Sequence, residues 1–148
     1  MRFLLASVLV LAASSSVFAK PSPMDFTKVT LTTSNPQKGT SQTVIVHGTG
    51  RAELQRSSKT GKFAPITGRA EQLDFIRLKY FILGAKLGTI PASIPSTHSG
   101  AARPLTLEVI QNGKTDTTRA DYEHYGQYKS RLDPLVNAVV VRDFDRAS

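Results

Sequence analysis

Arg69-Ala70-Glu71-Gln72-Leu73-Asp74-Phe75-Ile76-Arg77-Leu78-Lys79-Tyr80-Phe81-Ile82-Leu83-Gly84-Ala85-Lys86-Leu87 is the stretch on which the fold turns. Leu73, Ile76, Tyr80, Leu83 and Leu87 stand at offsets 0, 3, 7, 10 and 14, one face of an α-helix, and Phe75, Leu78 and Ile82 widen it. The spacing predicts a helix over 69–87 that packs this broad face against a sheet. Glu71 and Asp74 lie near its positive end and Lys86 near its negative end, the favourable sense for the helix dipole. Gly88 and Pro91 stop it.

The sequence before the helix reads as strands. Phe26–Thr33 places Val29 and Leu31 on one side and Thr30 and Thr32 on the other. Asn35-Pro36 and Lys38-Gly39 mark a turn, and Gln42–His47 returns around Val44-Ile45-Val46. Gly48-Thr49-Gly50 supplies a second turn, Arg51–Arg56 a third strand with Ala52 and Leu54 inward, and Ser57–Lys62 a polar loop.

Beyond the helix, Gly88–Pro104 is rich in Pro and Ser/Thr and shows no period. Leu105–Gln111 alternates, Asn112-Gly113 is a type I′ hairpin signal, and Lys114–Tyr122 is the partner strand. Asp133-Pro134 reads as an N-cap with proline at N1, opening a second helix that buries Leu135, Val136, Val139 and Val140. The Val139-Val140-Val141 run reads equally as an edge strand. The expected fold is therefore α+β: an antiparallel sheet of about five strands, in β-β-β-α-β-β-α order, with the helices on one face.

Residues 1–19 have the form of a secretory signal peptide. Arg2 is their only charge, Phe3–Ala13 is apolar, and Ser16-Val17-Phe18-Ala19 fits a cleavage site. The apolar run is shorter than the roughly 20 residues of a membrane-spanning helix. Export to the periplasm or medium is expected, with 20–25 a frayed N-terminus and 26–146 one globular domain. No membrane anchor is expected.

Cleavage after Ala19 leaves 18 basic and 11 acidic side chains, a charge of +7 that favours acidic partners, above all a protein with an acidic surface. The chain has no cysteine, which excludes disulfides, thiolate zinc sites, a cysteine nucleophile and a lipid-anchored cysteine.

Catalytic signatures are sparse. There is no Gly-x-Ser-x-Gly elbow, and Gly48-x-Gly50 lacks the third glycine and the following helix of a phosphate loop. His47, His98 and His124 are too far apart in sequence for one segment to aim two at a metal ion; Asp121, Glu123 and His124 come nearest to a cluster. Neither a metal nor a cofactor is expected. Arg51, Arg56, Lys59, Lys62 and Arg69 group around one loop with Phe63 alone among aromatics, so nucleic acid is not an expected partner.

Two features suit binding. Tyr122, Tyr125 and Tyr128 crowd a polar stretch after the hairpin, and tyrosine offers stiff contact area with a polar tip. The Ile90–Arg103 loop is stiffened by proline and carries Ile90, Ile94, His98 and Arg103, with both isoleucines expected at the surface. The leading expectation is a non-enzymatic exported domain that binds another macromolecule. The alternatives are an envelope hydrolase with a carboxylate pair and a structural accessory domain.

The layout resembles the small bacterial emfourin-type inhibitors of thermolysin-like metalloproteases. The resemblance rests on a strand pair with glycine near its turn, a long apolar helix, the Leu105-x-Leu107-x-Val109…Gly113 hairpin and a closing segment at Leu132–Val140. It implies protein binding and protease inhibition. The glycine-rich, Phe-containing segment of that family has no counterpart around Phe26–Gln37, and no inhibitory residue is carried over.

Overall fold

The computed structural model describes residues 25–139; residues 1–24, which include the expected signal peptide, and 140–148, which include Val140 and Val141 of the closing run, lie outside them. Antiparallel strands β1 (Lys28–Asn35), β2 (Thr40–His47) and β3 (Arg51–Ser58) come first, followed by the short β4 (Gly61–Lys62) and β5 (Ile66–Arg69). Then come α1 (Gln72–Ala85), β6 (Pro104–Gln111), β7 (Lys114–Asp121) and α2 (Lys129–Val139), with 3-10 turns at Leu87–Thr89 and Gly126–Tyr128. The sheet runs β4-β3-β2-β1-β6-β7, and β5 shares the outer edge of β3 with β4. The fold is α+β, with seven strands rather than about five: the segment read as a polar loop after Arg56 continues β3 and turns back as β4.

Strand alternation sets the sheet's two faces. Val29 pairs with Val46 and Val109, and Leu31 with Val44 and Leu107, so these side chains form one apolar face. Onto it pack Leu78, Ile82 and Ala85 of α1 and Leu132, Leu135, Val136 and Val139 of α2, giving one core. The opposite face carries Thr30, Thr32, Thr43, Thr106 and Thr117; Thr32 and Thr43 are hydrogen-bonded at 3.2 Å. The Asn112-Gly113 turn has φ of 52° and 74°, the left-handed pair that a type I′ turn demands.

Helix α1 sits in a different rotation from the one its spacing predicts. Leu73, Ile76, Tyr80 and Leu83 are 57, 41, 60 and 52 % exposed, while Leu78, Ile82 and Ala85 are buried and Phe75 and Phe81 pack partly against the core. Both sides of the helix are apolar, so periodicity alone could not decide which turns inward. Leu87 is buried, but from the 3-10 turn beyond the helix. Phe75 meets Phe26 with ring centroids 5.4 Å apart, and Lys79 Nζ lies 2.7 Å from Asp25 Oδ1; these contacts fix the orientation just before β1.

α1 ends at Lys86, whose φ of 48° closes the helix in the left-handed region. Arg131 of α2 donates to the Ala85 carbonyl (2.9 Å) and the Lys86 carbonyl (2.8 Å), capping α1 and aligning the start of α2 with its end.

α2 begins four residues before the expected Asp133 cap, so Pro134 stands inside it. Burial of Leu132 draws the helix forward, and the Lys129–Asp133 pair (2.9 Å) spans its first turn. Pro134 is exposed, so its ring meets solvent rather than the core.

Candidate functional site

The 90–103 segment is a pinned strap along the free edge of β7. Arg119 N–H donates to Ala92 O and Ile94 N–H to Arg119 O, both at 2.8 Å, so the strap pairs in parallel with the sheet at Ser93. Ile90 and Ile94 are buried at 7 and 6 % exposure, which corrects their expected surface position. The edge pairing turns Ile94 onto the core, and the 3-10 turn that Ile90 closes, with its N–H on the Leu87 carbonyl, does the same for Ile90; burying each contributes about 2 kcal/mol.

Asp121, the last residue of β7, locks the strap at two points, its middle and its C-terminal end. Its Oδ2 accepts the Ser96 hydroxyl at 2.8 Å and its Oδ1 accepts Arg103 N–H at 2.8 Å. Burial raises the carboxyl's pKa, but these two hydrogen bonds, with His124 and His98 nearby, outweigh it and hold the group below its ordinary value. Tyr122 N–H donates to Arg103 O at 2.9 Å, and His124 N–H to Asp121 O at 2.9 Å. Glu123, at φ 69°, makes the turn that folds His124 back.

This lock builds a ridge from side chains far apart in sequence. The rings of His98 and His124 stack with centroids 4.1 Å apart and planes 4° from parallel. The Arg103 guanidinium lies 5.2 Å from the Tyr122 ring centre. Gly100 makes room for His98: a Cβ there would fall 2.2 Å from its Nε2. His98 is exposed, and His124, Arg103 and Tyr122 are half-buried, so each pair is held yet reachable.

The ridge thus gathers three of the expected contact residues, His98, Arg103 and Tyr122. Two tyrosines belong elsewhere. Tyr125 is 1 % exposed and is the largest fully buried side chain; burial pushes its phenol well above the ordinary range. It is a core residue, which corrects its assignment as a contact. Tyr128 packs partly on the core under Arg131, 5.8 Å from its ring centre, at the junction of α1 and α2. His124, which stands among the tyrosines in the Asp121–Lys129 stretch, joins the ridge by stacking on His98; sequence reasoning missed Asp121 as the residue that assembles it, because the turn at Glu123 has no glycine to announce it.

Ser96, His98, His124 and Asp121 together do not form a hydrolytic relay. Ser96 donates directly to the carboxylate, so no imidazole stands between them to take its proton. Parallel stacked imidazoles direct their nitrogen lone pairs within their own planes, which do not converge on one ion. Among the described residues no group of three His, Asp or Glu side chains is placed to hold a metal. No described helix is long and apolar enough to cross a membrane.

Compared with protein-family models and with curated proteins, the chain gives no match.

Proposed function

We propose that the chain is exported and acts as a non-enzymatic domain that binds another protein, using the ridge of His98, His124, Arg103 and Tyr122 as its contact surface. The observation that carries the reading is the double anchorage of the strap on Asp121, which holds a reachable aromatic and cationic surface in one conformation. A surface ordered before association loses less side-chain and loop freedom on binding. Tyrosine and arginine are the side chains on which interface energy concentrates. The net positive charge favours a partner with an acidic surface.

The resemblance to emfourin-type inhibitors names one partner class to test, a thermolysin-like metalloprotease. Peptidase activity is titrated with residues 20–148 and with His98→Ala/Tyr122→Ala. Stoichiometric loss of activity with the former and a weaker effect of the latter support inhibition through the ridge. Full activity in the presence of excess chain refutes inhibition.

A further inference from the structure

The end of the sheet that carries the ridge also carries a row of lysines. β1 ends at Asn35 and β2 begins at Thr40, so the turn between them, with Lys38, stands at the end where Thr33 pairs with Leu105 and Pro104 with Asp121. Ser41 pairs with Ser57 and Ser57 with Lys62, which brings the β3–β4 turn, with Lys59, to the same end. A Cβ at Gly39 would overlap the Lys59 side chain, so the two turns lie against each other. Lys38, Lys59 and Lys62 are all exposed.

Strand order spaces these groups evenly. The sheet runs β4-β3-β2-β1-β6-β7, so the β3–β4 turn, the β1–β2 turn and the β6–β7 end stand two strand spacings apart, about 10 Å each. Lys59 and Lys62, then Lys38, then Arg103 of the ridge form a basic rim about 20 Å long.

Ion pairing separates this rim from the rest of the surface. Elsewhere basic side chains are met by acids of the same chain: Asp25 lies 2.7 Å from Lys79, Asp74 3.7 Å from Arg77, Asp116 3.8 Å from Lys114 and Asp133 2.9 Å from Lys129, and Glu53 pairs with Arg51. Among the described residues, Lys38, Lys59 and Lys62 have no carboxylate within ion-pair distance. At the ridge, Asp121 is buried with both oxygens engaged, and Glu123 lies past the end of β7. The rim's charge is therefore open to an anion from outside and repels the rim of a second copy.

We propose that the rim is the second half of the contact surface, and that the partner lays an extended acidic segment along it with carboxylates about 10 Å apart. The inference rests on the ridge being a protein-binding surface and adds the shape and charge of what it binds. An extended chain advances about 3.3 Å per residue, so acids at every third position fall opposite the three basic groups, and about seven residues span the rim. Exposed ion pairs are individually weak. Three carried on one segment act together, because each contact after the first is intramolecular. Binding is steered by charge and weakens as salt screens it.

The test is an amide NMR titration of residues 20–148 with end-capped oligoglutamates of ten and four residues, about 33 and 13 Å long when extended, at about 0.02 M NaCl. The ten-residue peptide shifts amides at the ridge, at Lys38 and at Lys59–Lys62 with a single dissociation constant, about 10-fold or more below that of the four-residue peptide. Raising NaCl to about 0.2 M weakens it about 10-fold. Lys59→Glu/Lys62→Glu weakens it about 10-fold with an unchanged circular dichroism spectrum, because both side chains are exposed. Arg77→Glu/Lys114→Glu, the same change of charge away from the rim, weakens it less than about 3-fold. Shifts at the ridge without shifts at the two lysine turns, or equal losses from the two double variants, would overturn the rim and leave the ridge as the contact surface. A ridge that stays silent would overturn both. A ten-unit oligogalacturonate that binds more tightly than the ten-residue peptide would assign the rim to an anionic glycan and overturn the acidic segment.

Discussion

Replacing Asp121 with Asn removes the charge on which the strap is fastened while keeping the side chain's shape. Two hydrogen bonds are affected, from the Ser96 hydroxyl and from Arg103 N–H, each 2.8 Å long. Hydrogen bonds to an ionised group contribute about 1.5–3 kcal/mol each, and the amide oxygen of Asn retains a weaker form of one. The expected loss is about 2 kcal/mol at neutral pH, or roughly 6–10 °C in melting temperature for a domain of this size. The pH dependence separates this cause from ordinary mispacking. The carboxyl's pKa is lower in the folded chain than in the unfolded one. Its contribution is therefore fully present above the unfolded value of about 3.9 and is lost as pH falls through the folded value. Thermal melts of the parent and of Asp121→Asn between pH 2.5 and 7 should show a gap that is constant above about pH 5 and narrows in acid. A gap that persists unchanged at pH 2.5, or one below about 0.5 kcal/mol at pH 7, would show that the charge does not hold the strap.

Further substitutions check the fold. Leu78→Ala should cost about 2–4 kcal/mol in denaturant unfolding, whereas Leu83→Gln, on the outward side of α1, should change stability by less than about 0.5 kcal/mol; the reverse order would show that the helix is rotated the other way. Tyr125→Ala should cost about 3–5 kcal/mol by the same measure, and Tyr122→Ala, half-exposed on the ridge, about 1 kcal/mol or less. Gly48→Ala places a Cβ 2.1 Å from the Phe26 carbonyl oxygen, a backbone clash that should lower the melting temperature by several degrees, or about 2 kcal/mol. Gly113→Ala, at φ 74°, should cost about 1 kcal/mol through left-handed strain alone.

The strands were legible because their signals are local. Val29 and Leu31 alternate with Thr30 and Thr32, and Asn112-Gly113 can hardly be other than a tight hairpin, so the α+β class follows from short windows. The rotation of α1 was not legible in that way. Its residues are apolar on two sides, and the choice is made by Phe26, Asp25 and Arg131, which lie 46 or more residues away in sequence from the groups they fix. The ridge is a similar case. His98, Arg103 and Tyr122 could be named as candidates from their types, but Ile94 and Tyr125 could not be told from surface residues until edge pairing and the turn at Glu123 placed them inside. Pro134 misled for a related reason: its N1 preference is a weak term beside the burial of Leu132.

The most direct test of the proposed binding role compares capture by two immobilised forms of residues 20–148. One carries the native ridge and the other His98→Ala/Arg103→Ala/Tyr122→Ala, with matching melting temperatures confirmed beforehand. Both are exposed to the extracytoplasmic extract of the producing cells, and the retained proteins are identified by mass spectrometry. The native form should retain a protein that the altered ridge releases. An identical set of proteins on both surfaces would contradict the account.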